Sequence, residues 1–160
     1  MTISVGDRIP NMTLTKATAD GPAPVETGDY FAGRKVALFA VPGAFTPTCS
    51  ARHLPGYVEK ADELKAKGVD EVACVSVNDV FVMQAWGSQG GADGKVTMLA
   101  DGNGAFAEAL GLDADFSKFG MGKRSQRWSA IVDDGVVTEL NVEEPGAFSV
   151  SSAEFLLGQL

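Results

Sequence analysis

The feature that most constrains this chain is the run Lys35-Val36-Ala37-Leu38-Phe39-Ala40-Val41, ended by Pro42-Gly43. Six consecutive apolar residues with no polar alternation read as a strand buried on both faces. Val72-Ala73-Cys74-Val75-Ser76-Val77 has the same character and is rich in valine, a strong strand former. Such strands need cover on both sides, and the segments between the apolar runs supply it.

Those segments read as helices. Ala51 to Lys67 places Leu54, Tyr57, Val58, Ala61 and Leu64 at three- and four-residue spacings, one helical face. Pro55 lies inside the pattern and should kink or delay the helix. Asn78-Asp79 should cap a helix over about Val80 to Gly87. Val96 to Ala100 is a third strand, followed by a short helix from Ala105 to Leu110. Phe116 to Gln126 reads as a glycine-spaced loop. Arg127 to Val132 and Val136 to Val142 flank Asp133-Asp134-Gly135, a hairpin signature. Ser152 should start a last helix from Ala153 to Leu160. Near the N-terminus, Met12 to Thr15 alternates like a strand or hairpin arm, and Asp20-Gly21-Pro22-Ala23-Pro24 reads as a loop. Alternating strands and helices imply a parallel central sheet, and the late hairpin adds antiparallel edge strands. The expected class is α/β: a thioredoxin-like fold with a mixed central sheet flanked by helices.

With 160 residues, 45% of them hydrophobic and 21% charged, residues 1–160 are expected to form one domain with a sizeable core. A net charge of -8 argues against a nucleic-acid partner and against an anionic membrane surface. No apolar stretch is long enough to span a bilayer. The first residues lack a basic region followed by an apolar core, so no secretory signal is expected and the expected compartment is the cytoplasm. Two cysteines make no disulfide framework, and a reducing compartment would keep both as thiols.

Cys49 sits between the first buried strand and a helix. There, backbone N–H groups and the helix dipole favour an anion, and the thiolate is the reactive form of cysteine. Ligand sites in open α/β sheets lie at the carboxyl ends of the strands, which is where Cys49 falls. The stretch Thr46-Pro47-Thr48-Cys49 keeps the spacing of a two-cysteine redox turn but replaces the first cysteine with threonine. No disulfide can close within it, whereas a Thr46 hydroxyl can donate a hydrogen bond to a thiolate or to a substrate oxygen. The chemistry indicated is a lone activated nucleophile. A free cysteine also commonly fills space in a core; that reading explains neither the placement nor the Thr–Pro surroundings. Cys49 and His53 share a helical face at metal-ligand spacing, yet only Cys74 and carboxylates remain to complete a zinc site, so no metal is expected.

Pro42-Gly43-Ala44-Phe45-Thr46-Pro47-Thr48-Cys49-Ser50, continuing to His53-Leu54-Pro55-Gly56-Tyr57, resembles the active-site motif of the peroxiredoxins, in the form of their type II or peroxiredoxin five branch. Val75 to Met83 with Ala85-Trp86-Gly87 resembles that branch's second block. Leu99-Ala100-Asp101, Gly104-Ala105-Phe106, Arg127 to Ala130 and Asp134 to Val137 resemble its later ones. The resemblance runs in order through most of the chain.

It implies a peroxidase without haem, metal or other cofactor, acting on hydrogen peroxide and small alkyl hydroperoxides. Cys49 matches the peroxidatic cysteine, which becomes a sulfenic acid. Thr46 matches the threonine that hydrogen-bonds the peroxide, Pro42 the proline that shields the pocket, and Arg127 the distant arginine that completes the site. Nothing local would single out Arg127 from Arg124, Arg52 or Lys123. His53 is expected to be a structural or interface residue rather than a base.

Some members of the branch carry a resolving cysteine near the C-terminus, but Pro145 to Ser152 contains none. Cys74, inside a valine-rich strand, would need local unfolding to bridge Cys49. The expected reductant is therefore external: glutathione with glutaredoxin, or thioredoxin as the rival. A homodimer is implied too, with Phe45, Phe81, Trp86 and Phe119 as candidate exposed aromatics. The alternative to an enzyme is a non-enzymatic thioredoxin-fold redox sensor. A thiol–disulfide oxidoreductase is disfavoured by the missing second cysteine of the turn.

Overall fold

The computed structural model describes residues 2–160. The chain opens with a hairpin, β1 (Thr13–Thr18) and β2 (Gly21–Glu26), followed by a single helical turn, α1 (Thr27–Phe31). β3 (Lys35–Val41) leads through a loop into a π-helical turn (Cys49–His53) and α2 (Leu54–Ala66). β4 (Glu71–Ser76), α3 (Val80–Gln89), β5 (Thr97–Ala100) and α4 (Ala105–Leu110) complete the alternating part. Then come a small ribbon of β6 (Asp113–Asp115) and β7 (Lys123–Ser125), the hairpin β8 (Trp128–Asp133) and β9 (Val136–Val142), and α5 (Ala153–Leu157).

Seven strands form one sheet in the order β2-β1-β5-β4-β3-β8-β9. β3, β4 and β5 are parallel, and β1 and β8 join them antiparallel on either side. The expected mixed α/β architecture is what forms. Residues 36 to 41 of β3 have no solvent exposure at all, as an unbroken apolar run requires. Ala37, Phe39 and Val41 point into one core with Leu54, Tyr57 and Leu64 of α2, Met83 and Trp86 of α3 and Leu156 of α5. Val36, Leu38 and Ala40 face the second core, with Tyr30 and Phe31 of α1 and Phe106 and Leu110 of α4. Each fully buried leucine or phenylalanine contributes about 1.5–3 kcal/mol.

Several expectations are corrected. The stretch from Gly21 to Pro24 is not a loop but part of β2, an edge strand with Pro22 opposite Ala17 and Pro24 opposite Thr15. Two prolines two residues apart remove N–H groups from one side of the strand only, which an edge can leave unpaired. Phe116 to Gln126 is not all loop, because Lys123 to Ser125 pairs with Asp113 to Asp115. Of the late hairpin's two strands only β9 lies at an edge; β8 is interior, between β3 and β9. Trp86 is buried at 2% exposure, packed in the first core rather than on the surface, while Phe45, Phe81 and Phe119 are exposed.

Local signals hold where they were strong. Asp79 caps α3 by accepting the Val82 N–H at 2.8 Å, and Ser152 caps α5 by accepting from Phe155 at 3.1 Å. Asp134 and Gly135 both take positive φ, 50° and 80°, as a tight hairpin turn demands. Pro55 delays α2 as expected: it lies in the first turn, and just before it the Leu54 N–H reaches back five residues to the Cys49 carbonyl. A π turn over 49–53 is the consequence.

Candidate active site

The site is assembled at the carboxyl end of β3. The chain leaves Val41 through Pro42 and Gly43, and helical backbone begins at Pro47, a residue suited to a first helical position. Cys49 therefore lies in the first turn. The loop is held from both ends. The Ala44 N–H donates to Asn78 Oδ1 at 3.0 Å, and Ser76 Oγ donates to the same oxygen at 2.6 Å, tying the loop to the end of β4. The Ser50 N–H donates to the Thr46 carbonyl at 2.9 Å, and Trp86 Nε1 donates to Ser50 Oγ at 3.0 Å. Phe45 is forced to φ 63°, a conformation costly for a bulky residue and common near functional loops.

Cys49 is fully buried, and Arg127 reaches it directly: Nη2 donates to Cys49 Sγ at 3.1 Å. Arg127 immediately precedes β8, and Trp128 pairs with Ala40, so the β3–β8 ladder delivers the arginine to the end of β3. Its other terminal nitrogen, Nη1, donates to His53 Nδ1 at 2.8 Å. His53 Nε2 in turn donates to the Ser151 carbonyl at 2.9 Å. A carbonyl only accepts and a guanidinium only donates, so these two bonds require the neutral imidazole with its proton on Nε2. Burial, reinforced by the Arg127 charge, lowers the His53 pKa from its ordinary 6.5 to about 3. Phe39 at 4.8 Å and Phe148 at 5.0 Å between ring centroids enclose the same ring. His53 thus orients Arg127, with both nitrogens engaged and neither bonded to Cys49.

Thr46 and Pro42 are both half-buried in the loop. The Thr46 hydroxyl does not donate to Cys49; its proton goes to the Gly43 carbonyl at 2.6 Å. That leaves Oγ1 an acceptor, the reverse of the donor role expected for it. Arg124, which no local feature separates from Arg127, has a different task. It donates from Nη1 to the Val77 carbonyl and from Nε to the Met121 carbonyl, both at 3.0 Å. It packs so closely that a Cβ on Gly43 would lie 3.3 Å from its Nη1 and 3.2 Å from Thr46 Cγ2.

Cys74 lies on β4 between Phe39 and Met98, buried in the same core as Cys49. Burial first, and then the charge of Cys49, push its thiol well above the ordinary range. Both cysteines are free. Among the described residues no group of three or more His, Cys, Asp or Glu side chains is placed to hold a metal ion. No helix among them is long and apolar enough to cross a membrane.

The Redoxin family pattern matches residues 4–157. The chain is 56% identical over 164 aligned residues to peroxiredoxin-2E-2, a chloroplastic protein of Oryza sativa subsp. japonica, covering 99% of this chain and 73% of that one. This chain belongs to the peroxiredoxin family. The same kinship extends to peroxiredoxin-2B of Arabidopsis thaliana, 48% identical over 159 residues, 99% of this chain and 98% of that protein. Among solved structures, reduced Prx3 of Vibrio vulnificus in complex with hydrogen peroxide superposes with a TM-score of 0.95 at 55% identity, covering 99% of both chains. This peroxiredoxin is of the type II or peroxiredoxin five kind, and is a thiol-dependent peroxidase with the thioredoxin-like fold.

Proposed function

We propose that Cys49 is the thiolate that attacks hydrogen peroxide and small alkyl hydroperoxides, with Arg127, Thr46 and Pro42 around it. The observation that carries this reading is the Arg127 Nη2–H donated to Cys49 Sγ at 3.1 Å. The sulfur attacks the terminal peroxide oxygen, an S–O bond forms and the O–O bond breaks. Cys49 becomes a sulfenic acid, and the leaving alkoxide or hydroxide takes a proton from water. Arg127 stands where charge leaves sulfur and builds on oxygen, so it stabilises both ends of the transfer. Thr46 Oγ1, its own proton committed to Gly43, accepts the O–H of the hydroperoxide. Pro42 contributes an apolar wall without an N–H. Stopped-flow peroxide consumption tests the reading: a Cys49→Ser protein that reacts as fast as the native one overturns it.

Recycling falls to an external thiol. Glutathione attacks the sulfenic sulfur, releasing water and leaving a mixed disulfide, which a second glutathione or glutaredoxin resolves; no further cofactor takes part. Support comes from Cys74, whose buried, suppressed thiol is a poor internal resolver. Mass spectrometry after one equivalent of peroxide and then glutathione distinguishes the routes. A glutathione adduct on Cys49 is expected; a Cys49–Cys74 bridge, or turnover with thioredoxin alone, overturns it. A cytoplasmic location belongs to the same proposal, since a reducing thiol pool suits two free cysteines. So does a homodimer formed through the exposed Phe45, Phe81 and Phe119. Sedimentation showing only monomer at micromolar concentration would remove the dimer.

A further inference from the structure

Glu143 is a buried carboxylate, 6% exposed, just past the end of β9. Its Oε2 accepts the Ser149 N–H at 2.7 Å, the Ser151 N–H at 2.8 Å and the Ser151 hydroxyl at 2.7 Å. Oε1 has only the Ser149 hydroxyl, at 3.4 Å. Burial raises this carboxyl's pKa, but the hydrogen bonds from Ser151 and Ser149 outweigh it and hold the group below the ordinary range. The ion pairs among the described residues, Arg34–Glu71, Lys60–Glu63 and Lys123–Glu108, do not include it. A buried charge without a counter-charge is costly, and an apolar residue would fill the same space more cheaply.

The far side of the clamped segment explains its use. The Ser151 carbonyl accepts from both His53 Nε2 and Tyr57 Oη, each at 2.9 Å. His53 then holds Arg127 Nη1, and Arg127 Nη2 holds Cys49 Sγ. Glu143 also touches the arginine's own backbone, since its N–H donates to the Arg127 carbonyl at 3.0 Å. One residue therefore grips Arg127 at its main chain and, through Ser151 and His53, at its guanidinium.

We propose that Glu143 is a positioning residue for the peroxide reaction, clamping the Ser149–Ser151 segment so that Ser151 and His53 hold Arg127 on Cys49. The inference rests on the reading of Arg127 and Cys49 above. It makes reach, not charge, the property that matters, because nearly all the contacts converge on one oxygen. Glu143→Gln keeps that oxygen and drops the charge. Glu143→Asp keeps the charge and withdraws the oxygen by one methylene.

The test is the stopped-flow rate constant of reduced protein with hydrogen peroxide, for both variants in the native and the Arg127→Ala backgrounds, on samples shown folded by thermal unfolding. Glu143→Gln is expected within about twofold of native and Glu143→Asp about tenfold slower. In the Arg127→Ala background the Asp substitution should change the rate no further, because the group it positions is gone. Equal losses for Asp in both backgrounds would make Glu143 merely structural and overturn the proposal. So would a Gln variant as slow as Asp, or an Asp variant as fast as native. Loss of the native-to-Cys49→Ser difference would instead strike the underlying reading of the site.

Discussion

Arg127 Nη1 donates to the unprotonated Nδ1 of His53 at 2.8 Å, and that bond sets which way the second nitrogen of the same guanidinium points. A planar fork with one tine anchored has little freedom left for the other, which meets Cys49 Sγ at 3.1 Å. The imidazole works here as an acceptor, which requires that it stay neutral.

Arg127→Lys should slow the reaction of Cys49 with hydrogen peroxide on the order of a hundredfold, the usual cost of removing a donor from a developing anion. An ammonium keeps the charge but cannot bridge His53 and Cys49 as a fork does. Stopped-flow fluorescence measures the rate constant, and a loss below about threefold would contradict the bridging role.

Stability should fall in acid, beginning below about pH 6.5. The His53 pKa is lowered in the folded chain from 6.5 to about 3, so between those values the unfolded chain binds a proton that the folded chain does not. The stabilisation is complete above 6.5 and is lost as pH falls toward 3. Glu143, also held below its ordinary range, adds a loss at lower pH in the same direction. Urea unfolding between pH 7 and 5 should show the slope in the native protein and a flatter profile in His53→Gln.

Cys74→Ala should keep both the peroxide rate and glutathione-driven turnover within about twofold. Its cost should appear in stability, about 1 kcal/mol for a small void in the packed core. Turnover that collapses while the peroxide step survives would make Cys74 the resolving thiol.

Gly43→Ala should reduce the peroxide rate while leaving most of the fold intact. The new methyl would press on Thr46 Cγ2 at 3.2 Å and on Arg124 Nη1 and Met121 Cε at 3.3 Å. Tight contacts of this size cost about 1–3 kcal/mol unless neighbours yield. The same stopped-flow assay decides it, with a native rate showing that the loop can shift without consequence.

Where a segment's conformation follows from its own residues, it was legible in advance. β3 carries an unbroken apolar run from Val36 to Val41, Asp79 and Ser152 are side-chain caps, and Asp134-Gly135 adopts the positive φ angles that a tight two-residue hairpin turn favours. β2 was misread because two prolines look like a loop until the chain shows them lying on an edge. β7 was missed for a related reason: three polar residues become a strand only because Asp113–Asp115 lies beside them.

The sequence by itself determined the α/β architecture, the position of Cys49 at the end of a buried strand, and a family motif around it. Those depend on periodicity and short spacings, which a linear text carries. The family resemblance already pointed to Arg127, but only the tertiary structure showed it meeting Cys49, and only the tertiary structure decided that His53 is the neutral acceptor behind it, that Thr46 gives its proton to Gly43, and that Glu143 clamps the far end. The arginine and the cysteine are 78 residues apart, and His53 and Ser151 are 98 apart. Contacts at such separations come from the pairing of β3 with β8 and of β8 with β9, and no local residue pattern encodes which side chains that pairing brings face to face.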